Sequence, residues 1–385
     1  MTPIRLTGSS WDHPRGHAPM VAAAASYQER REGTVAIEWT ARSLKDFGMA
    51  SVDALARQFD LVVIDHPHTG TMAESGCVVP LDDFIDPAQL ELLADGSPGG
   101  SHQSYLYGGR QWALAIDAAC QTSAWRPDLI GQPPKTWDDV IELARVGSVL
   151  WPLCDVDAAA SFMTLSASAG TPCATGGDRF VDRDVGLWAL STMRSVAAHS
   201  DPRCLADNPI ATLETLARSA DYVYCPLLFC YINYSRSGHP GAKITYGDIP
   251  TRHAGQAPLW SLLGGAGLAV SAYGRSRSDA VDYCLYAASP EVQCGIYFAA
   301  GGQPAHREAW SRPELDRESG GFFSGAGPTI TGAWTRPNGP TFAAFQNDMI
   351  DLFGGWFEAA SDPELFLDKL DELYRASARY RGNLP

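Results

Sequence analysis

Two segments of this 385-residue chain carry aspartate, histidine and proline in the same order, each directly after a run of apolar or small residues. The side chains concerned are Trp11, Asp12 and His13 in the first segment, and Asp65, His66 and His68 in the second. Carboxylate and imidazole groups hydrogen-bond hydroxyl groups, and an indole ring stacks on an apolar face. We predict that both segments face outward as loops that contact a small polar ligand. The alternative for the first loop is that Asp12 caps a helix and Trp11 packs in the core.

The same side chains could bind a metal ion, since His13, His66, His68 and Asp65 are all metal-ligating types. The sequence does not bring the two loops within coordination distance, and we therefore predict no metal site.

The elements that position these loops alternate between strand and helix. The pattern predicts a strand at 4–10, a helix at 18–33, a strand at 34–39, a helix opened by Ser51 and a buried strand at 60–65. This alternation is typical of a parallel α/β sheet, in which ligands bind beyond the carboxyl ends of the strands. Both loops are predicted at that edge. Farther along, Thr136 is predicted to cap a helix, and the last helix is predicted to begin at Pro363.

Composition excludes several classes of function. The chain has 44 acidic and 29 basic residues and a net charge of −15, which argues against nucleic acid or an anionic membrane surface as partner. No apolar run approaches the roughly 18 residues of a membrane span. The nine cysteines are irregularly spaced without Cys-x-x-Cys, so we predict core thiols in a reducing compartment. No phosphate loop or dinucleotide fingerprint is present, and no cofactor is predicted.

Several segments, in order, resemble a known family. "GGAGLAVS", "SPEVQ" and "GGQPAHREAW" within 257–310, preceded by "YGGRQWALAIDAACQTSAWRPDLI" and "PKTWDDVIELA", are similar to family 1 extracellular solute-binding proteins, the maltose-binding-like receptors of ABC importers. The resemblance implies an α/β, type II periplasmic-binding-protein-like fold of two lobes. Each lobe would hold a mostly parallel sheet flanked by helices, with a ligand cleft between the lobes and hinge closure. Lobe one would be 1–114 plus 262–312, and lobe two 115–261 plus 313–385, with the C-terminal helical segment packing back across the lobes.

The resemblance also implies further ligand contacts. Asp117 and Cys120 would lie in the first crossing between lobes, and the backbone of Gly264 and Gly265 would face the ligand or permit a tight bend. Tyr224, Tyr231 and Asn233 would cluster with Trp260 near the second crossing, where aromatic faces bind sugar rings. Ordinary core packing is the alternative for each aromatic residue.

The function implied is a non-catalytic, monomeric receptor for a sugar or hydroxylated acid that works with an ABC permease in the periplasm or at the cell surface. One alternative is a cytoplasmic enzyme on the same fold, with Cys120 as nucleophile assisted by Asp65, His66 or Asp117, by analogy with thiaminase I. A cytoplasmic ligand sensor is another. We recognise no secretory signal, so we expect either a cytoplasmic protein, with which nine thiols are compatible, or one whose leader has been removed.

Overall fold

The computed structural model describes residues 3–43, 51–257, 260–357 and 361–379. The strands of these residues are β1 Ile4–Trp11, β2 Val35–Arg42, β3 Leu61–Ile64, β4 Leu106–Tyr107, β5 Arg110–Gln111, β6 Leu114–Trp125, β7 Tyr224–Phe229, β8 Thr245–Gly247 and β9 Leu263–Val270.

The α-helices alternate with these strands in the first part of the chain and dominate its last third. They are α1 Ala18–Arg30, α2 Val52–Ala56, α3 Thr69–Ser75, α4 Pro87–Asp95, α5 Trp137–Arg145, α6 Asp155–Ser168, α7 Arg183–Ala197, α8 Pro209–Arg218, α9 Arg277–Ala288, α10 Pro290–Val292, α11 Arg307–Ser311, α12 Pro313–Glu318, α13 Phe322–Thr331, α14 Pro340–Phe353 and α15 Pro363–Arg379. Among the residues described, no helix combines the length and the apolar character needed to cross a membrane.

The chain divides into two compact units. The first unit comprises Met1–Ala119, Gly264–Arg317 and Asn338–Pro340, and the second comprises Cys120–Leu263, Glu318–Pro337 and Thr341–Pro385. The sequence-based lobes had their borders at 114/115, 261/262 and 312/313, and they did not assign 338–340 to the first lobe.

The sheet of the first unit has the order β2-β1-β3-β9-β6. β1 pairs in parallel with both β2 and β3, whereas β9 pairs antiparallel with β3. All four residues of β3 are buried, which accounts for the continuous apolar run of this strand. One face is covered by α1, which buries Met20, Ala23 and Tyr27 in the same core as Leu6.

The second unit is built on the remainder of β6, which pairs antiparallel with β7 and with β8. Trp137 and Trp151 stack at 5.2 Å between ring centroids within its core. Helix α5 begins as predicted, because the Thr136 hydroxyl accepts from Asp139 N–H and the Asp139 carboxylate accepts from Thr136 N–H.

The structure corrects three local expectations. β1 continues to Trp11, so the first loop begins at Asp12. Gly264 and Gly265 lie inside the continuous strand β9 and do not form the tight bend that was one expectation for them. The mostly parallel sheet holds for β1, β2 and β3 only, because β7, β8 and β9 join their neighbours antiparallel.

Candidate functional site

The carboxyl ends of three parallel strands share one edge of the first unit's sheet. Trp11 is in register with Arg42, and Gly8 is in register with Leu61 three residues before the end of β3. The two Asp-His-Pro loops therefore leave the sheet side by side, as the alternation of strand and helix predicted. The Arg42 guanidinium donates to Val63 O (2.5 Å) and to Ser9 Oγ (2.8 Å), and it thereby links the three strands near this edge.

A buried ion pair holds the first loop against β6. Arg15 Nε donates to Asp117 Oδ2 (2.8 Å), and the Arg15 Nη2 donates to Asp117 Oδ1 in a bidentate arrangement. Both side chains are buried. Burial raises the pKa of Asp117, and the adjacent Arg15 guanidinium opposes that rise. Asp117 thus positions the loop, and its contact with a ligand stays a prediction.

Arg15 and Tyr297 were not among the predicted site residues. The Tyr297 hydroxyl is buried, and no hydrogen-bond partner for it is found among the described residues. Burial and the Asp117 charge raise the pKa of Tyr297 well above its ordinary value. The signal for Arg15 was its place in a loop of charged residues without apolar neighbours. No local signal marks Tyr297, which lies 180 residues beyond Asp117 in the sequence.

The other side chains of the first loop take different positions. Trp11 lies in the core, where Gly16 packs on its ring so closely that a Cβ there would come within 2.2 Å. The alternative that Asp12 caps the next helix is wrong, because His17 is the N-cap residue of α1 and Asp12 is exposed. His13 is half-buried, and its Nδ1 accepts from Arg15 N–H (3.0 Å). Ligand contact by Trp11, Asp12 and His13 stays a prediction.

The second loop is a 3-10 turn, His66–His68, capped by Asp65. The Asp65 carboxylate accepts from His66 N–H (2.8 Å) and lies 3.2 Å from His66 Nδ1. The expectation that all three polar side chains face outward is wrong for His66, which is 1% exposed and lies edge-on to the Tyr105 ring. The Asp65 carboxylate is thus an acidic neighbour of the buried imidazole. Asp65 and His68 remain half-buried.

In the second unit, the predicted residues are divided between core and surface. Cys120 is 0% exposed, and Tyr224 lies in the core, where burial raises its pKa. Tyr231 is buried, with the Tyr246 hydroxyl donating to Tyr231 O (2.8 Å), whereas Asn233 is half-buried. Trp260 is 41% exposed. Tyr224 therefore does not join an exposed aromatic cluster.

Gly264 and Gly265 lie on β9 in the first unit. Gly265 has φ +113°, and a Cβ at this position would come within 2.4 Å of Asp117 O. The glycine thus permits a close approach of β9 and β6.

Two further features of the first unit involve none of the predicted site residues. A cavity of about 330 Å³ is lined by Val78, Val79, Phe84, Trp112 and Arg277, and its wall contains none of the predicted site residues. Among the described residues, one ligand atom from each of Cys294, His306 and Glu308 lies within 4.8 Å of the others, and none of these residues was predicted as a ligand.

No family model matches the chain. Solved structures share its fold. An ABC transporter solute binding protein from Agrobacterium radiobacter K84, in complex with ribitol, aligns with 96% of this chain and 98% of its own at a TM-score of 0.79 and 18% identity. Maltose-bound MalE3 of T. maritima aligns with 97% of this chain and 100% of its own, with a TM-score of 0.80 and 15% identity. The GacH receptor of Streptomyces glaucescens aligns with 98% of this chain and 99% of its own at 0.79 and 14%.

These likenesses confirm the predicted fold class. The chain has the α/β, periplasmic-binding-protein-like fold of ABC solute-binding proteins.

Proposed function

We propose that this chain is a solute-binding protein that captures a small polar ligand, a sugar or a hydroxylated acid, for an ABC-type importer. The observation that carries the proposal is the fold, which extends over 96% of the chain in the alignment with the ribitol complex. The maltose-bound protein supports the same ligand class at 97% of the chain. We also propose that the protein works with an ABC permease and is located outside the cytoplasm. Both statements depend on the proposed function.

The loops at the carboxyl edge of the first unit's sheet supply suitable chemistry. Asp12 is exposed, and His13, Asp65 and His68 are half-buried, so their polar atoms can reach a ligand without unfolding the loops. A carboxylate accepts from two sugar hydroxyls, and a neutral imidazole both donates and accepts. In the second unit, Asn233 and Trp260 are accessible and offer an amide and an indole face.

The Arg15–Asp117 pair contributes to binding indirectly. It ties the first loop to β6 through two parallel hydrogen bonds between buried groups. A loop that is already ordered loses less conformational freedom when the ligand binds, and this favours affinity.

Burial of Cys120 favours a receptor over the enzyme alternative. A nucleophilic cysteine must reach its substrate as a thiolate, whereas Cys120 is 0% exposed. One of its proposed assistants, Asp117, has both carboxylate oxygens bonded to Arg15.

The proposal is tested by a thermal-shift screen against sugars, polyols and hydroxy acids, followed by calorimetry on each compound that raises Tm. A ligand at 100 times its dissociation constant stabilises the fold by about 2.7 kcal/mol. Mass spectrometry after overnight incubation should recover the compound intact. Failure of every such compound to raise Tm, or consumption of the compound, would overturn the proposal.

Variants of the two loops then localise the binding. Asp12→Asn and His68→Gln should each weaken affinity by about tenfold, the loss of one hydrogen bond to a charged or polar group. The matched control is His253→Ala, an exposed histidine of the second unit. If all three variants bind alike, the ligand does not use these loops.

A further inference from the structure

A thiol, an imidazole and a carboxylate that belong to neither loop lie close together in the first unit. One ligand atom from each of Cys294, His306 and Glu308 lies within 4.8 Å of the others. Cys294 belongs to the π-helical segment Gln293–Tyr297 that follows α10. His306 is the N-cap residue of α11, and Glu308 lies in the first turn of that helix.

The side chain of Gln293 holds these two segments together. Gln293 is fully buried, its Oε1 accepts from Ala305 N–H (2.7 Å), and its Nε2 donates to Ala287 O (2.8 Å). Residues 293 and 305 immediately precede Cys294 and His306, so these bonds fix the separation of the two ligating residues. The backbone then kinks at Gly295 (φ −105°, ψ −108°).

A second contact positions the imidazole. Arg307 N–H donates to Gly96 O (2.6 Å). The His306 ring packs directly on Gly96, where a Cβ would come within 2.5 Å of Nε2. Any larger residue at 96 would therefore displace the ring. The backbone at Gly96, directly after α4, therefore limits where the imidazole can lie.

We propose that Cys294, His306 and Glu308 bind a zinc ion, with water in the fourth position. Sulfur, nitrogen and oxygen ligands together suit Zn²⁺, which is tetrahedral and borderline soft. Zinc–ligand bonds imply ligand atoms separated by roughly 3.4–3.7 Å, so the cluster must close by about 1 Å. The Glu308 side chain is 42% exposed and can make this adjustment from the solvent side. The Cys294 thiol gives its proton to solvent as the sulfur–zinc bond forms.

Two existing contacts compete with the ion. Arg312 donates to the Glu308 carboxylate in an ion pair whose partners are about equally exposed, and such surface pairs contribute little. His306 Nδ1 accepts from Glu308 N–H at 3.3 Å, which is long for a hydrogen bond. A metal-bound imidazole carries its proton on the other nitrogen, so this bond is lost whichever nitrogen binds. Both losses are small.

The experiment is titration of the metal-free, full-length chain with Zn²⁺ by equilibrium dialysis, and with Co²⁺ as a spectroscopic probe. One ion should bind per chain, and Co²⁺ should give the near-ultraviolet charge-transfer band of thiolate ligation. Cys294→Ser should abolish that band, and His306→Gln and Glu308→Gln should each weaken affinity by at least about tenfold. Arg312→Gln should strengthen it, because the competing cation is gone.

Cys154→Ser is the matched control, since Cys154 is a half-buried thiol hydrogen-bonded to Asp157 in the second unit. This variant should retain stoichiometry and band. Stoichiometry far below one, or a band that survives Cys294→Ser, would overturn the proposal. If Cys294→Ser fails to fold by circular dichroism, Glu308→Gln decides, because an exposed neutral isostere leaves the core intact. Unchanged affinity in that variant also overturns the proposal.

Discussion

At the scale of single residues, the Arg15–Asp117 pair gives a direct test of what holds the first loop. Asp117→Asn preserves the shape of the side chain but leaves the Arg15 guanidinium buried without its counter-ion. We expect the free energy of unfolding to fall by about 3–5 kcal/mol, the cost of removing one partner of a buried ion pair. Urea denaturation of wild type and variant measures the difference.

The control for Asp117→Asn is Glu38→Gln. Glu38 pairs with Arg5 on the surface, and these side chains are 75% and 71% exposed. Exposed pairs are worth about 0–1 kcal/mol, so this substitution should have little effect. If both variants lost the same free energy of unfolding, the buried Arg15–Asp117 pair would contribute no more stability than an exposed pair, and the prediction would be wrong.

Residue placement shows where sequence reasoning reached its limit. The loops themselves were predictable, because each follows a run that reads as a buried strand. The burial of His66 was not, since it depends on the Tyr105 ring, about 40 residues later, and on an aspartate that turns back toward the imidazole. The core position of Trp11, which was one of two interpretations of the sequence, depends on a similarly hidden contact. Its cover comes from Gly16, and a glycine gives no sign in the sequence of a ring packed against it.

At the scale of elements, Gly265 determines how closely β9 and β6 approach. Gly265→Ala would place a Cβ within 2.4 Å of Asp117 O at a φ of +113°. Alanine is strained at positive φ, and the strands would also have to separate. We expect a loss of more than about 1 kcal/mol in the free energy of unfolding, measured by urea denaturation.

Gly332→Ala is the matched control for Gly265→Ala. Gly332 ends α13 at φ −96°, and a Cβ there would meet no atom within 4 Å. This variant should change stability by no more than about 0.5 kcal/mol. Similar behaviour of the two variants would mean that β9 and β6 do not need the close approach.

Elements with local signals were predicted well. Thr136 and Asp139 mark the start of α5 through their reciprocal hydrogen bonds, and Pro363 marks the start of α15. The continuity of β9 carried no such signal, because a pair of glycines ordinarily weakens a strand. The direction of β9 was equally hidden. Strand direction depends on where the chain returns to the sheet, and the apolar pattern of a strand is the same in both directions.

At the scale of the whole molecule, fold and ligand are encoded differently. A TM-score of 0.80 coexists with 15% identity in the comparison with maltose-bound MalE3 of T. maritima. Many different combinations of apolar residues can fill the same core volume, so the fold survives extensive substitution. A ligand site depends instead on a few polar atoms. The ligand therefore has to be found by measurement even where the fold is secure.

The reactivity of the cysteine thiols can be measured for the whole chain in one experiment. The structure holds nine cysteines as thiols, and all except the half-buried Cys154 are buried. Burial raises the pKa of Cys173 to about 12 and that of Cys204 to about 11, which lowers their thiolate fraction. At pH 8, we expect no fast-reacting thiol when the native protein is titrated with Ellman's reagent. Nine should react in guanidinium without reductant.

The same titration separates the alternatives for function. A fast native thiol that disappears in Cys120→Ser but persists in Cys154→Ser would place an accessible nucleophile at residue 120 and would favour the enzyme. Fewer than nine thiols in guanidinium would mean that some cysteines are oxidised, contrary to the structure. The expected result, slow thiols in the native state and nine after unfolding, fits a receptor in which Cys120 serves as a small core residue. In such a protein, replacing Cys120 by serine should leave ligand affinity unchanged.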